Sequence, residues 1–124
     1  MGRIVLLMTL CLITPLFASA QVILNEIAWM GTPVEGVEAK QWWRYEWVEL
    51  FNAGESDVSL NGWAVQLYGE KLEWTIALSG AVPAHEYFVA AASDKVQGSD
   101  LSYANLAGKF ANSGQRVVLR NEHG

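Results

Sequence analysis

The stretch that most constrains the fold is residues 46–63. In its first half, Val48 and Leu50 alternate with larger or charged side chains, and this spacing places the two on one face of a β-strand. Because both faces carry bulky groups, we expect a central strand. The polar connector 52–57 predicts a chain reversal, and an Asn-Gly pair predicts a second one immediately before Trp63. We expect the Trp63 indole to lie in the core.

Residues 1–20 have the features of a secretory signal peptide. One positive charge, from Arg3, precedes an apolar run that is interrupted by Pro15 and ends in Ala18-Ser19-Ala20, a typical cleavage site. The run is too short to span a bilayer comfortably, so cleavage is favoured over an uncleaved anchor helix. The sequence therefore predicts a secreted or extracytoplasmic protein with no transmembrane segment after cleavage.

The residues that follow, 21–124, predict a single domain with a core of its own. The single cysteine, Cys11, lies within the predicted signal peptide, so the core of the mature chain depends on packing and not on disulfides. The full chain has a formal net charge of −5. An acidic surface argues against direct nucleic acid binding, because phosphate backbones are bound by basic groups.

Short segments of strand composition, separated by turn residues, fill residues 21–124 without a helical period. Residues 93–109 are rich in Ser, Asp, Gly and Asn, and they predict an irregular segment that crosses between sheets. The pattern predicts an all-β protein with an immunoglobulin-like two-sheet β-sandwich. We expect six strands, approximately at 22–29, 46–52, 63–68, 72–78, 87–91 and 116–120.

Five runs of residues follow one another in a distinctive order: Val22-Ile-Leu-Asn-Glu-Ile-Ala-Trp29, Glu46-Trp-Val-Glu-Leu-Phe-Asn52, Leu60-Asn-Gly-Trp63, Tyr87-Phe-Val-Ala90 and Asn112-Ser-Gly-Gln-Arg-Val-Val-Leu119. Together they resemble the lamin tail domain, an immunoglobulin-like module of nuclear lamins and of secreted bacterial proteins. The resemblance covers nearly all of residues 21–124. It implies a compact, non-catalytic β-sandwich for binding or anchoring, which in bacteria often accompanies nuclease, phosphatase or adhesin-like domains.

Two features depart from this family. The connector that holds Trp42 and Trp43 is not expected of the family core, and the chain ends where a closing strand normally follows. Residues 121–124 supply turn residues alone. The resemblance therefore implies a domain that is incomplete at its C-terminus. We expect an unpaired edge along residues 116–120, which favours self-association.

Candidate catalytic and metal-binding groups are few. Glu46 and Glu49 are three residues apart, which on a strand places them on opposite faces and disfavours a catalytic carboxylate pair. Neither His85 nor His123 has zinc-ligand spacing around it, and the sequence contains no nucleophile or phosphate-binding motif. The oxygen-bearing side chains of residues 93–109 match no calcium-binding spacing, and calcium there stays open. We predict no catalytic residues, no metal site and no cofactor.

The run Trp42-Trp43-Arg44-Tyr45 is the main candidate for ligand binding. On an extended segment adjacent tryptophans point in opposite directions, so at least one indole should be partly exposed. Exposed indoles beside Arg44 suit stacking on sugar rings or burial at a protein interface. An alternative of equal weight is that one indole covers the open end of the sandwich while the other packs on a loop.

These observations predict a secreted, non-catalytic lamin-tail-like module that binds or tethers a protein, cell-envelope or polysaccharide partner. An alternative from another class is an accessory domain fragment of a larger secreted hydrolase, such as a nuclease or phosphatase. A catalytic motif encoded downstream of residue 124 would distinguish the two. A third interpretation, a carbohydrate-binding sandwich, depends on the tryptophans alone.

Overall fold

The structure is a computed structural model that describes residues 21–124, so the predicted signal peptide lies outside the described residues. Within this range neither helical segment has the length and apolar character needed to cross a membrane. The two 3₁₀ helices are Ala39–Tyr45 and Ala104–Leu106. The strands are β1 Val22–Ala28, β2 Trp47–Asn52, β3 Val58–Ser59, β4 Ala64–Tyr68, β5 Leu72–Ala77, β6 Ala81–Val82, β7 Tyr87–Ala91, β8 Leu101–Ser102 and β9 Arg116–Arg120.

The described strands form three sheets, with the orders β1-β2-β7-β8, β3-β6 and β5-β4-β9. The all-β prediction is confirmed, whereas six strands in two sheets were too few. The additional strands β3, β6 and β8 have two residues each, which is too short for an alternating pattern to be visible in the sequence. Pro83 follows β6 directly and has no N–H with which to extend its ladder.

Strand β2 is central, as predicted, and pairs with β1 on one side and β7 on the other. Val48 and Leu50 are completely buried on its inner face. They belong to the same core cluster as Val65 and Leu67, which β4 contributes from the three-stranded sheet. Removal of these side chains from water stabilises the contact between the sheets.

The predicted reversal after β2 is organised by Asn52, which is completely buried. Its side-chain Nδ2 donates to the Ser56 carbonyl at 2.8 Å and to the Val82 carbonyl at 3.1 Å. Its Oδ1 accepts from the Gly54 N–H at 2.9 Å. One amide thus shapes the turn and also links β2 to β6.

The predicted turn before β4 is present, but Trp63 is half-buried at the edge of the core and does not lie within it. The backbone N–H of Trp63 donates to the Leu60 carbonyl at 3.0 Å, and Gly62 has a φ of 82°. Because the Trp63 backbone belongs to the turn, the indole reaches only the margin of the sheets. The hairpin of β4 and β5 is confirmed by their antiparallel pairing.

Residues 93–109 cross between sheets, as predicted. They leave β7 in the four-stranded sheet and lead to β9 in the three-stranded sheet. Leu106 is completely buried along this path, while Leu101 and Tyr103 pack on the core from partly exposed positions. The segment is less irregular than predicted, since it contains β8 and the 3₁₀ helix Ala104–Leu106, and these three side chains anchor it to the core.

Candidate functional site

The segment that holds Trp42-Trp43-Arg44-Tyr45 is the 3₁₀ helix Ala39–Tyr45, so the prediction of an extended segment was wrong. None of its seven residues is β-branched, but Trp42, Trp43 and Tyr45 are of types common in strands, so the composition alone does not decide between helix and strand. Successive residues of a 3₁₀ helix point about 120° apart. The two indoles therefore still diverge, but they do so around a helix axis.

Trp42 supports the fold locally. Its indole N–H donates to the Val37 carbonyl at 3.2 Å, and the side chain is half-buried. The Trp42 carbonyl lies against Gly31, so closely that a Cβ at Gly31 would collide with it. Gly31 has a φ of 77°, which a glycine adopts without strain. The turn after β1 thus packs directly on the backbone of the 3₁₀ helix.

Trp43 faces outward, and 45% of its surface is exposed. Its ring packs beside Gly108, where a Cβ would come within 3.4 Å of the indole. The Arg44 guanidinium lies 5.2 Å from the centre of the Trp43 ring, at the distance of a cation–π contact. Tyr45 is half-buried. Of the four candidate residues, Trp43 and Arg44 are the exposed ones.

A cavity of about 370 Å³ lies next to Trp43. Trp29 and Met30, which follow β1, contribute to its wall and are 41% and 65% exposed. We call it the Trp29–Trp43 cavity. Its lining residues are Trp29, Met30, Ala39, Trp43, Glu46, Gly108, Phe110 and Asn112. The sequence places Trp29 at the end of a predicted strand and gives no link to Trp43, which lies 14 positions later on a helix that was not predicted.

Glu46 is the one acidic residue that lines this cavity, and it is only 2% exposed. Its Oε2 accepts from the backbone N–H groups of Gly108 at 2.8 Å and Lys109 at 3.2 Å. Burial raises the pKa of the Glu46 carboxyl, and backbone N–H groups of residues 108–110 oppose that rise by favouring the anion. The carboxylate therefore holds the loop before β9 against the end of the 3₁₀ helix.

The predicted position of Glu46 on the central strand was wrong by one residue, since β2 begins at Trp47. Glu46 ends the 3₁₀ helix in an extended conformation. Glu49 does lie on β2, where its Oε1 accepts from Asn25 Nδ2 at 2.7 Å. The structure does not bring Glu46 and Glu49 together, and their hydrogen-bond partners lie in different parts of the fold.

A second cavity, of about 340 Å³, opens between β1 and β9. Ile27 of β1 and Val117 of β9 line it, together with residues 110–115. Trp29, Phe110 and Asn112 border both cavities, so the two cavities are neighbours, and we call them together the recess. The recess lies between two strands that have a neighbour on only one side among the described residues.

The other candidate groups have local structural contacts. In the crossing segment, the Asp100 carboxylate accepts from the Val89 N–H at 2.8 Å. His85 and Glu55 form an exposed pair at 3.0 Å, and His123 lies 3.7 Å from its neighbour Glu122. Within residues 21–124, no three His, Cys, Asp or Glu side chains are grouped closely enough to hold a metal ion.

The family of the chain follows from a comparison with protein-family models. The model of the lamin tail domain matches residues 16–124, which include every described residue. The chain belongs to the lamin tail domain family. A search of curated proteins found no match. The family consists of non-catalytic, immunoglobulin-like domains, in agreement with the strands and sheets described above.

In this lamin tail domain, three segments that are far apart in the sequence form the recess. The end of β1, the 3₁₀ helix Ala39–Tyr45 and the loop before β9 meet around the Glu46 carboxylate. The side chains that project from this frame are two tryptophans and a methionine. The arrangement offers an apolar, partly aromatic surface with one buried acidic group, which suits binding through shape and charge.

Proposed function

We propose that this protein is a secreted, non-catalytic lamin tail module that binds or tethers a protein, envelope or polysaccharide partner through the Trp29–Trp43 cavity. Membership of a family of non-catalytic domains supports the binding role. Export is proposed from residues 1–20, whose charged start, apolar run and Ala-Ser-Ala ending suit a cleaved signal peptide. The N-terminus of the exported protein is then Gln21.

One observation carries the binding role. Six large apolar side chains of the described residues are exposed, and three of them, Trp29, Met30 and Trp43, line a single cavity. Exposed apolar groups are ordinary when they are scattered, but a cluster around a concave surface marks an interaction site. Tryptophan and methionine are enriched at interfaces because they bury large areas, and methionine adapts its shape.

The two tryptophans of the 3₁₀ helix Ala39–Tyr45 have different roles. Trp43 is the contact residue, and Arg44 is an exposed cation beside it. Trp42 positions the helix through its bond to Val37 and through its contact with Gly31. Replacement of Trp42 should therefore affect stability, whereas replacement of Trp43 should affect binding.

The test is retention of the purified protein on three immobilised probes: peptidoglycan sacculi, cellulose and an array of peptides of varied sequence. We expect retention on at least one probe, and at least a tenfold loss of retention for the double variant Met30→Ala, Trp43→Ala. The double variant Leu72→Ala, Tyr87→Ala is the matched control, since it removes two large exposed side chains that do not line the cavity. Equal retention of the two double variants, or no retention of the wild type on any probe, would contradict the proposal.

A further inference from the structure

The Glu46 carboxylate in the Trp29–Trp43 cavity has one oxygen available for a ligand. The hydrogen bonds from the Gly108 and Lys109 N–H groups both end on Oε2, and the Phe110 N–H favours the anion from nearby without forming a hydrogen bond to Oε1 among the described residues. Among the described residues, Trp74 Nε1 is the single fully buried side-chain polar atom without a partner. Glu46 Oε1 also has no hydrogen-bond partner but is not fully buried, so it retains some accessible surface. Because Glu46 lines the cavity, a donor that occupies the cavity can reach Oε1.

Among the described residues, no cationic side chain forms an ion pair with the Glu46 carboxylate. Arg44 is two positions before Glu46, and its guanidinium lies 5.2 Å from the centre of the Trp43 ring. Lys109 donates its backbone N–H to Glu46, but its ammonium lies 4.2 Å from the centre of the Trp74 ring. A buried anion without a cation is costly, so a positively charged ligand gains more here than at an exposed glutamate.

The walls of the cavity define the ligand further. Trp29 and Trp43 present aromatic rings, which attract cations, while Met30, Ala39 and Phe110 are apolar. A carboxylate that is 2% exposed behind such walls suits a ligand with an apolar stem and a charged tip. A lysine side chain has this form, since its four methylene groups lead to an ammonium with three donors.

An arginine side chain fits less well. A guanidinium gains most from a carboxylate when it engages both oxygens, and two backbone N–H groups already occupy Oε2. An ammonium is a compact charge that needs one acceptor. An amino sugar carries its ammonium directly on a polar ring, and therefore has no apolar stem to lie between Trp29 and Met30.

From this geometry we infer that the Trp29–Trp43 cavity binds a lysine side chain of a partner protein, with the ammonium on Glu46 Oε1 and the stem between Trp29, Met30 and Trp43. The inference rests on the proposed binding function and names the partner class and the group that it recognises. The negative net charge of the chain, −5, favours the approach of a basic partner surface.

The first experiment uses the wild-type protein and four small probes, observed by changes in the backbone amide signal of Gly108 and the indole N–H signal of Trp43 in NMR titrations. The probes are the N-acetyl methylamides of lysine, norleucine and arginine, together with glucosamine. We expect the lysine probe to bind at least tenfold more tightly than the norleucine probe, because only lysine forms the charge-assisted bond to Glu46. We expect the arginine probe and glucosamine to bind more weakly than lysine.

The second experiment repeats the lysine titration with Glu46→Gln, and with Glu49→Gln as the matched control. An amide oxygen can still accept from Gly108 and Lys109, while the charge is removed, so the variant should lose about tenfold in affinity. Glu49 lies on β2 outside this cavity, and its variant should bind like the wild type. If Glu46→Gln does not fold, the four probes on the wild type decide alone.

Equal binding of the lysine and norleucine probes would overturn the lysine assignment, and so would tighter binding of arginine or glucosamine. These outcomes leave the proposed function intact when the Met30→Ala, Trp43→Ala variant still loses retention on an immobilised probe. Absence of retention on every immobilised probe contradicts the binding function itself, so the two failures are distinguishable.

Discussion

At the scale of single residues, Glu46 and Gly31 decide the shape of the candidate site. Glu46 accepts hydrogen bonds from residues more than 60 positions later in the chain. Gly31 admits the backbone of Trp42 at a distance that excludes any side chain. Neither role was predictable from the sequence. Local spacing shows which residues share a strand face, but it does not show which distant loop returns to meet a carboxylate.

The pH dependence of stability tests the burial of Glu46. The folded protein raises the pKa of this carboxyl by desolvation, so the fold favours its protonated form. That contribution is fully present below the pKa of an unfolded glutamate, about 4.3, and it is lost as the pH rises through the folded-state pKa. The free energy of unfolding of the wild type, relative to Glu46→Gln, should therefore fall between pH 4 and pH 7. Urea titrations of both proteins at each pH measure this difference in the free energy of unfolding. A difference between wild type and Glu46→Gln that rises with pH would contradict the prediction.

The contact between Gly31 and Trp42 is tested by Gly31→Ala, with Gly36→Ala as its control. The two glycines have nearly equal φ values, 77° and 76°, so the backbone strain of an alanine is similar at both. Gly36 has open space where a Cβ would stand, whereas at Gly31 the Cβ collides with the Trp42 carbonyl. We expect Gly36→Ala to cost about 1 kcal/mol. Gly31→Ala should cost clearly more and should change the tryptophan fluorescence, and equal costs in denaturant unfolding would show that the contact is not tight.

At the scale of elements, the sequence predicted the longer strands well because their signals are local. The alternation of Val48 and Leu50 identified β2 and its inner face, and the hairpin of β4 and β5 followed from the turn residues between them. The helix Ala39–Tyr45 was missed because adjacent tryptophans were interpreted on an extended backbone. The Trp63 indole was predicted to lie within the core but lies at its margin, because the Trp63 backbone is part of the turn that precedes β4.

The turn after β2 depends on Asn52, and this dependence can be measured. Asn52→Ala leaves the Val82 carbonyl and the Gly54 N–H without their side-chain partner, and it leaves the Ser56 carbonyl with the Gln21 side chain alone. We expect a loss of about 1–3 kcal/mol in the free energy of unfolding, the usual effect of leaving buried polar groups unsatisfied. Asn25→Ala is the control, because Asn25 is exposed and forms a single hydrogen bond to Glu49. That variant should stay within about 0.5 kcal/mol of the wild type, and similar losses for both would contradict the assigned role.

At the scale of the whole molecule, β1 and β9 border the recess from two different sheets. Each has one neighbouring strand within the described residues. An unpaired strand edge is a site for pairing with another chain unless charges protect it. Arg116 and Arg120 protect the ends of β9, but the three residues between them are apolar and half-buried.

We expect self-association through β9, and Val118→Lys should reduce it. Val117 and Leu119 pack on the core, whereas Val118 does not belong to the core or to the side chains packed on it, so a charge there should disturb the edge more than the fold. Leu72→Lys is the control, since Leu72 is exposed on β5, at the opposite edge of the same sheet. Sedimentation velocity over a range of concentrations measures the effect. Equal sedimentation of the wild type and Val118→Lys, or a larger effect of Leu72→Lys, would contradict the prediction.

The most direct test of the central claim, that this lamin tail domain binds its partner through the Trp29–Trp43 cavity, uses its tryptophans as reporters. The described residues include six tryptophans, and each has an indole N–H signal in a ¹H–¹⁵N NMR spectrum. On addition of a peptide retained in the array screen, we predict the largest shifts at Trp29 and Trp43, with little change at Trp47, Trp63 and Trp74, which do not line the cavity. Shifts at those three tryptophans, with Trp29 and Trp43 unchanged, would contradict the account.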